Sequence, residues 1–240
     1  MNELKETEIF LVKIMNNLRL KIYLFRRRNY KAQGDLDIKF KKYLKKRHGF
    51  YIEIGANDGV HQSNTFYLEK KKKWSGLLVE PGKNAFSSLI KNRSDTNIFI
   101  NAACVPFYHE QDFIEFNDYY LMGYIEGINT DNNIDEHKKF SEEYIGNTGL
   151  KYSKYDVPAK TLNSILLENN APKNIDFFSL DVEGEELSVL EGLDFSIFKI
   201  KYIFVESRNK KRTISYLVGK NYEMIEDFDS NYLFKLKMTK

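Results

Sequence analysis

The sequence predicts an α/β fold in which a mostly parallel sheet of seven strands is covered by helices on both faces. The segment FYIEIGANDG at 50–59 starts as a short buried strand and ends in a glycine-framed turn. GLLVE at 76–80 is a second apolar segment, and it ends in an acid. From residue 50 onwards, strand and helix patterns alternate along most of the chain, which is typical of parallel sheets with helical crossovers.

The composition indicates one large domain with a basic extension. A chain of 240 residues with 42% hydrophobic residues can bury one sizeable core. Residues 1–48 hold 14 Lys and Arg against 5 Asp and Glu, a net charge of +9, whereas the rest of the chain carries 23 against 29, or −6. We therefore assign a basic helical N-terminal arm to 1–48 and the main domain to 49–240, with an insert at about 104–157 where the alternation fails.

The cysteine count and the hydrophobicity pattern argue against several classes of protein. Cys104 is the single cysteine, which excludes an internal disulfide framework and a cysteine-based zinc site and fits the reducing cytoplasm. No segment approaches the roughly 18 consecutive apolar residues of a membrane span. Acidic residues near the N-terminus and the lack of a cleavage pattern also argue against a signal peptide.

The arm is predicted to begin with an amphipathic helix at 8–28, because apolar residues recur there at near-helical spacing before three closing arginines. Gly34 ends this pattern, and 38–46 is a second short helix with lysines on its outer face. Three interpretations stay open for the arm: packing on the core or on a second subunit of a homo-oligomer, peripheral contact with a membrane, and binding of a polyanion.

The predicted elements of the main domain follow in chain order. In the first half they are strand 50–54, helix 63–72, strand 76–80, helix 84–91 and strand 97–102. The insert contains aromatic-rich irregular strands and loops at 107–124 and a helix at 134–144. The second half contains helix 161–168, strand 175–180, helix 185–191, strand 202–206 and a closing antiparallel pair at 222–225 and 232–236.

The turn after the first strand predicts a nucleoside site. Gly55 and Gly59 allow the backbone to turn tightly and to approach a ligand, although this pattern alone also fits an ordinary strand-to-helix turn. The dinucleotide fingerprint G-x-G-x-x-G is not satisfied. Glu53 would disfavour a phosphate and favour a cationic ligand such as S-adenosylmethionine. Glu80 ends the second strand, from where a carboxylate takes both hydroxyls of a ribose.

The segment FFSLDVEGEELSVLEG at 177–192 is a second and more specific motif. Asp181 and Glu183 directly follow a buried strand, which places them at the carboxyl edge of the sheet, where ligands of open α/β sheets bind. Gly184 permits a tight turn into a helix whose first-turn acids are favoured by the helix dipole. Asp181 could also serve as the N-cap of this helix.

With these motifs the sequence resembles the FkbM family of S-adenosylmethionine-dependent methyltransferases. The segments that carry the resemblance are EIGANDG at 53–59, QSNT at 62–65, VEP at 79–81, NAA at 101–103, AKTLNSIL at 159–166, DFFSLDVEGEELSVLEG at 176–192 and IFVE at 203–206. The resemblance spans about 48–238 and implies the Rossmann-like fold of class I methyltransferases. Most of 104–157 lies outside it, and we expect this segment to determine the specificity for the methyl acceptor.

The resemblance implies methyl transfer from S-adenosylmethionine to a hydroxyl of a saccharide, glycan precursor or related small molecule. The cofactor-binding residues expected from it are Glu53, Gly55, Ala56, Asn57, Asp58, Gly59, Asn64, Glu80, Pro81, Asn101, Ala102 and Asp181. The expected substrate-binding residues are Tyr119, Tyr120, Tyr124, Glu183 and Glu206. Asp181 is expected to take the hydroxyl proton, with His61 and His109 as reserve bases.

Aromatic and polar side chains are interleaved at 107–124, a mixture that suits the apolar faces and hydroxyls of a sugar. The alternative is that these aromatic residues only cover the edge of the sheet. Asp181, Glu183 and Glu206 could together hold Mg²⁺, but we do not expect a required metal.

Two other functions stay open at the level of the sequence. An RNA methyltransferase is suggested only by the basic arm, and the chain has DVEG where amino-group methylases place an N-P-P-[YF]-type tetrad. The other is a non-enzymatic protein that binds S-adenosylmethionine or associates with a membrane. We expect no specific nucleic acid partner.

Overall fold

The computed structural model of the protein describes residues 28–125, 128, 134–149 and 151–237. Its strands are β1 (Phe50–Ile54), β2 (Ser75–Val79), β3 (Ile98–Ile100), β4 (Ala103–Cys104), β5 (Phe113–Asp118), β6 (Tyr124–Ile125), β7 (Ser153–Lys160), β8 (Asn174–Leu180), β9 (Lys199–Glu206), β10 (Tyr222–Phe228) and β11 (Asn231–Leu236). Its α-helices are α1 (Leu36–Phe40), α2 (Phe66–Lys72), α3 (Lys83–Asn92), α4 (Ile134–Thr148), α5 (Leu162–Glu168), α6 (Glu186–Glu191) and α7 (Lys210–Gly219). Short 3₁₀ turns lie at Gln33–Asp35 and Tyr120–Met122.

Seven strands form the main sheet, in the order β10-β11-β9-β8-β1-β2-β3. All are parallel except β11, which runs antiparallel to both β9 and β10. The predicted mostly parallel sheet with a closing antiparallel pair is therefore confirmed. The chain proceeds from β1 through β2 to β3 on one side and returns to β8 on the other side of β1. This reversal opens a crevice at the carboxyl ends of β1 and β8, where ligands of such sheets bind.

Each face of the sheet has its own hydrophobic core. One core contains residues of α5, α6 and α7 packed on β1, β8 and β9. The other contains residues of α1, α2 and α3. The strands β1 and β8 are largely buried on both faces, which explains why their sequences are mostly apolar.

The segment just before β1 belongs to the second core. Phe40 is fully buried, and its ring centroid lies 5.2 Å from that of Phe177 and 4.8 Å from that of Phe204. The predicted helix at 38–46 is in fact α1, which ends at Phe40, and turns continue to β1. The predicted helix at 8–28 lies, apart from its last residue, outside the described residues. The division of the chain at residue 48 remains a prediction.

The insert forms a second sheet that the sequence did not predict as such, with the order β4-β7-β5-β6. The strand β7 was missed because its sequence SKYDVPAK is mostly charged or polar and only Val157 in it is buried. The helix α7 was also missed, because it starts with the cations Lys210, Lys211 and Arg212; the side chain of Asn209 caps it by accepting from the Arg212 amide. None of the described helices is both long and apolar enough to cross a membrane.

The predicted third strand is shorter than expected. It covers Ile98–Ile100 instead of 97–102, because its pairing with β2 stops where β2 ends, at Val79. The Asn97 side chain accepts from the Gly76 amide (2.8 Å), and the Asn101 side chain donates to the Glu80 carbonyl (2.7 Å).

Candidate active site

A cavity of about 420 Å³ lies at the carboxyl ends of β1 and β8. The loops that follow β1, β2, β8 and β9 line one part of it, and residues of the insert line another. The two sequence motifs therefore open into one space.

The turn after β1 is shaped for close backbone approach and for polar contacts. Gly55 has a φ of 80°, and a Cβ added there would lie 1.8 Å from the carbonyl oxygen of Asp181 on the neighbouring strand, so only glycine fits. Asn57 is buried, and neither atom of its amide group has a hydrogen-bond partner among the described residues. The Asn64 amide donates to Ser179 Oγ (3.1 Å), but its oxygen also lacks a partner there. Buried polar atoms of this kind indicate a polar ligand in the cavity.

Glu80 presents a buried carboxylate with spare acceptor capacity. One oxygen accepts from the backbone amide of Asn57 and the other from the backbone amide of Gly82, both at 2.7 Å. Burial raises the pKa of Glu80 to about 7, although these two hydrogen bonds act in the opposite direction. A carboxylate has about four lone-pair sites, so about two remain for hydroxyl donors of a ligand.

The charge of Glu53 is already balanced inside the protein. Its carboxylate accepts from Ser63 Oγ (2.9 Å), Thr65 Oγ1 (2.6 Å) and the Arg93 guanidinium (3.2 Å). Arg93 is itself buried and also pairs with Glu69 at 2.7 Å. The negative charge from which we predicted a cationic ligand thus has a protein partner. This partner could not be predicted from the sequence, because Arg93 lies 40 residues further along the chain.

Carboxylates crowd the carboxyl ends of β8 and β9. Asp181, Glu183 and Glu206 all line the cavity. Burial, followed by the charges of Glu206 and Glu183, holds the pKa of Asp181 well above its usual range. The side chain of Asp181 receives no hydrogen bond from the described part of the chain, so it does not cap α6. Glu186 stabilises the loop before α6, by accepting from the backbone amides of Val182 (3.2 Å) and Gly184 (2.9 Å).

A chain of contacts attaches α4 to this carboxylate cluster. The Arg208 guanidinium donates to Glu183 Oε2 (2.8 Å) and to Nδ1 of His137 (3.2 Å), and Nε2 of His137 lies 3.3 Å from the Met122 carbonyl oxygen. The His137 ring also meets the Tyr124 ring edge-on, with centroids 5.0 Å apart. Burial and the Arg208 charge lower the pKa of His137. These contacts fit a neutral imidazole that accepts at Nδ1 and donates at Nε2.

Aromatic side chains of the insert form one wall of the cavity. These side chains belong to Phe116, Tyr120, Tyr124, Phe140 and Tyr144. Tyr119 is buried behind this wall, stacked on Tyr124 with centroids 6.0 Å apart and 4.5 Å from the Tyr152 ring. Phe107, Tyr108 and Phe113 are exposed and do not line the cavity. The aromatic stretch at 107–124 is therefore divided between the cavity and the outer surface.

A sequence model described as the methyltransferase FkbM domain matches residues 53–236. The chain belongs to this family. The class I methyltransferase fold that we expected from the resemblance is confirmed, since the main sheet has six parallel strands and one antiparallel strand near its end. A comparison with curated protein sequences gave no match.

Three solved structures are distantly similar to this FkbM-family chain. The FkbM methyltransferase of Methylobacillus flagellatus KT is 12% identical, with a TM-score of 0.45, and the match covers 93% of this chain and 60% of the other. TrmK of M. capricolum, solved with S-adenosylhomocysteine, is 12% identical, with a TM-score of 0.41 and coverages of 82% and 66%. The delta-N METTL16 MTase domain is 10% identical, with a TM-score of 0.32 and coverages of 91% and 80%. The chain thus spans 66% or less of the length of the first two structures.

The cavity of the FkbM-family chain brings together most of the residues predicted from the sequence. Those that line it are Glu53, Gly55, Ala56, Asn57, His61, Asn64, Glu80, Pro81, Ala102, Tyr120, Tyr124, Asp181, Glu183 and Glu206. Those that do not line it are Asp58, Gly59, Asn101, His109 and Tyr119. The roles of all these residues remain predictions. The lining residues that the sequence analysis missed include Gln33, Phe140, Tyr144 and Arg208.

Two of the five residues outside the lining support the loops beside the cavity. Asp58 accepts from the amides of Val60 (2.8 Å) and His61 (2.7 Å) and so supports the turn. Asn101 donates to the carbonyls of Glu80 and Pro81 and stabilises that loop.

In the part of the chain that the structure describes, no three His, Cys, Asp or Glu side chains are arranged to hold a metal ion. The expectation that the reaction does not require Mg²⁺ remains a prediction.

Proposed function

We propose that this chain transfers a methyl group from S-adenosylmethionine to a hydroxyl oxygen of a saccharide, glycan precursor or related small molecule. One observation carries the proposal: a single cavity joins Glu80, at the end of β2, to Asp181, at the end of β8, and aromatic residues of the insert face it. Membership of the FkbM family supports the choice of cofactor.

The residues around the nucleoside side of the cavity fit this cofactor. Glu80 would accept hydrogen bonds from the two ribose hydroxyls at its remaining lone pairs. Asn57 and Asn64 would direct their unpartnered amide atoms to polar groups of the ligand. S-adenosylmethionine, when bound, supplies a methyl group that is already activated by its sulfonium.

Asp181 is the best-placed base for the acceptor. It lines the cavity, and its raised pKa makes its carboxylate a stronger base than an ordinary aspartate. The proton of the acceptor hydroxyl would pass to Asp181 while the oxygen forms its bond to the methyl carbon and the bond from that carbon to sulfur breaks. Most of the remaining rate enhancement comes from holding the hydroxyl in line with the methyl group.

The acceptor side of the cavity favours a polyhydroxylated molecule without phosphate groups. Tyr120, Tyr124 and the other aromatic residues offer flat apolar surfaces, on which the C–H faces of sugars pack. Glu183 and Glu206 offer acceptors for hydroxyl donors. The same carboxylates would repel the phosphates of an RNA substrate, which argues for the small-molecule acceptor over RNA.

The proposal is tested with S-adenosylmethionine labelled in its methyl group. The purified protein is offered mono- and oligosaccharides in one series and single-stranded and transfer RNA in another. We expect label in a saccharide, as a methyl ether, and none in RNA. Label in RNA alone would overturn the acceptor class. Binding of S-adenosylhomocysteine without transfer to any acceptor would favour the non-enzymatic alternative.

The aromatic wall provides a matched pair of variants for the same assay. Tyr120 lines the cavity, whereas Phe113 is an exposed aromatic residue of the same insert that does not. We expect Tyr120→Ala to raise the KM of the acceptor about fivefold, since loss of stacking on a ring costs about 1 kcal/mol, while Phe113→Ala has no effect. Equal effects of the two variants would place the acceptor elsewhere.

A further inference from the structure

The two edges of the main sheet carry opposite charge. The loops at the carboxyl edge contain the acids of the cavity, among them Glu80, Asp181, Glu183 and Glu206. The amino edge consists of the segments that lead into β1, β2, β3, β8, β9 and β10 and of the end of β11, because parallel strands start at the same edge and β11 runs in the opposite direction.

The amino edge is rich in exposed cations. They are Lys45, Lys46, Arg47, Lys71, Lys73, Lys91, Lys173, Lys199, Lys201, Lys220 and Lys237, and we call them the basic edge. Acids are fewer there; the exposed ones are Asp95, Glu168 and Glu223. Within the described residues, Lys46 is the one cation of the basic edge in an ion pair, with Asp176 at 2.8 Å. The charge of the basic edge is therefore largely uncompensated.

Large aliphatic side chains are exposed among these cations. Ile90 and Val218 lie near the ends of α3 and α7 and are 48% and 47% exposed. Leu167, near the end of α5, is 45% exposed, and Ile197, just before β9, is 37% exposed. All four lie in segments that lead into the amino edge. Aliphatic groups mixed with lysines are typical of protein surfaces that rest on lipid headgroups.

We propose that the basic edge docks on the surface of an anionic lipid bilayer. Nearly all of its cations are lysines, which act as point charges toward a diffuse layer of headgroups, whereas arginine dominates where single phosphates are gripped in a bidentate manner. A nucleic acid at this edge would lie on the side of the sheet away from the cavity and could not offer a base or ribose to it. Docking at this edge leaves the cavity open to solvent, and it does not depend on which acceptor is methylated.

The test is co-sedimentation of the full chain with vesicles at low and high salt. Vesicles of phosphatidylcholine alone are compared with vesicles that also contain phosphatidylglycerol. The edge variant is the triple substitution Lys45→Glu, Lys71→Glu and Lys91→Glu, in exposed side chains with no ion pair in the described chain. The control variant is Lys139→Glu, Lys151→Glu and Lys211→Glu, which changes the net charge equally at exposed positions away from the basic edge. Thermal melting confirms that both variants fold.

We expect the natural chain to bind only the anionic vesicles, and binding to weaken as salt increases. Each lysine near such a surface contributes roughly a factor of five, so the edge variant should bind at least about a hundredfold more weakly, while the control stays within about threefold. Three results would overturn the proposal: equal binding to both kinds of vesicle, equal loss in both triple variants, or an edge variant that binds like the natural chain. Tighter retention of single-stranded RNA than of vesicles would assign the edge to a nucleic acid instead.

Discussion

The carboxylate of Glu80 links cofactor binding to pH. Two backbone hydrogen bonds favour its ionised form, but burial outweighs them and raises the pKa of Glu80 to about 7. Hydroxyl donors of a ribose bind the ionised form better, so a bound ligand should lower this pKa. We predict that affinity for S-adenosylhomocysteine is highest above pH 7 and weakens, by up to about tenfold per pH unit, as the pH falls below 7.

Calorimetry with S-adenosylhomocysteine between pH 5.5 and 8.5 measures this effect. Glu80→Gln should reduce the affinity at pH 8 by about 2–3 kcal/mol, since hydrogen bonds to a charged group are worth about that much, and should remove most of the pH dependence. Glu110→Gln, at an exposed position outside the cavity lining, is the control. It should change neither the affinity for S-adenosylhomocysteine nor its pH dependence. An unaltered pH profile in Glu80→Gln would refute the assignment of Glu80 to the ribose.

Asp181 is a residue whose removal should affect the reaction more than binding. Its pKa is raised by burial and by the neighbouring Glu206 and Glu183, so its carboxylate loses its function as a base when the pH falls through that raised value. We predict that Asp181→Asn lowers kcat by about 10²- to 10⁴-fold with a smaller change in the acceptor KM. Steady-state kinetics of Asp181→Asn and of the natural chain measure both kcat and the acceptor KM. A kcat close to that of the natural chain would assign the base elsewhere, with His61 as the next candidate in the cavity.

At the scale of elements, contacts of His137 connect α4 to the rest of the cavity wall. His137 is buried between Met122, Tyr124 and Arg208, and through Arg208 it is connected to Glu183. We predict that His137→Ala loosens α4 and raises the acceptor KM by roughly tenfold, while affinity for S-adenosylhomocysteine stays within about twofold. The expected loss corresponds to one or two buried hydrogen bonds.

Two measurements test this positioning role: hydrogen exchange of the α4 amides, and steady-state kinetics that determine kcat and the acceptor KM separately. His137→Gln retains a side chain that can both accept and donate, so it should recover part of the loss. Glu142→Gln, at an exposed position of the same helix, is the matched control. If His137→Ala changes stability but leaves the acceptor KM unaltered, the histidine supports only the packing of the insert.

The sequence predicted some elements well because the pattern of apolar residues within them indicates where they lie in the fold. β1 and β8 are mostly apolar and almost entirely buried, and such segments of five to seven residues fit the middle of a covered sheet. The insert was less predictable, because β7 pairs with β5 through backbone hydrogen bonds that its polar side chains do not reveal. Helix α7 starts with three cations and has only two buried residues, Thr213 and Leu217.

The residues of the site also divide into those that a local sequence pattern predicts and those that it does not. Glu80, Asp181, Glu183 and Glu206 were predictable, since each ends a strand or follows it and all parallel strands end at one edge. The contacts of Arg93 with Glu53, and of His137 with Arg208, were not. These pairs are 40 and 71 residues apart in the chain, and no local pattern relates their members.

At the scale of the whole molecule, the residues just before β1 are part of the core. Phe40 is fully buried between Phe177 and Phe204, and truncation of a buried phenylalanine leaves a large cavity. We predict that Phe40→Ala lowers the free energy of unfolding by about 3–5 kcal/mol, as measured by urea denaturation. Lys45→Ala, at an exposed position a few residues away, should change it by less than about 0.5 kcal/mol. A loss below about 1 kcal/mol in Phe40→Ala would show that this segment does not support the fold.

The buried carboxylates should also make the stability of the ligand-free protein depend on pH. Burial raises the pKa of Glu186 to about 8 and that of Glu183 to about 7, from ordinary values near 4.5. The folded chain therefore retains protons that the unfolded chain releases. This contribution to stability is fully present below about pH 4.5 and is lost as the pH rises through 7 to 8. The pKa of His137 is lowered, which acts in the opposite direction below its ordinary value of 6.5, so the window from pH 6.5 to 8.5 isolates the carboxylates.

We predict that the free energy of unfolding decreases by a few kcal/mol, on the order of one per displaced pKa unit, between pH 6.5 and 8.5. Glu186→Gln should reduce this slope, because the glutamine oxygen can still accept from the Val182 and Gly184 amides but the side chain no longer releases a proton. Glu142→Gln, at an exposed position, should leave the slope unchanged. Urea denaturation at both pH values provides the measurement. A stability that stays constant or increases across this window would mean that the carboxylates at the ends of β8 and β9 are ionised in the folded protein, and that the carboxyl edge is more hydrated than its burial indicates.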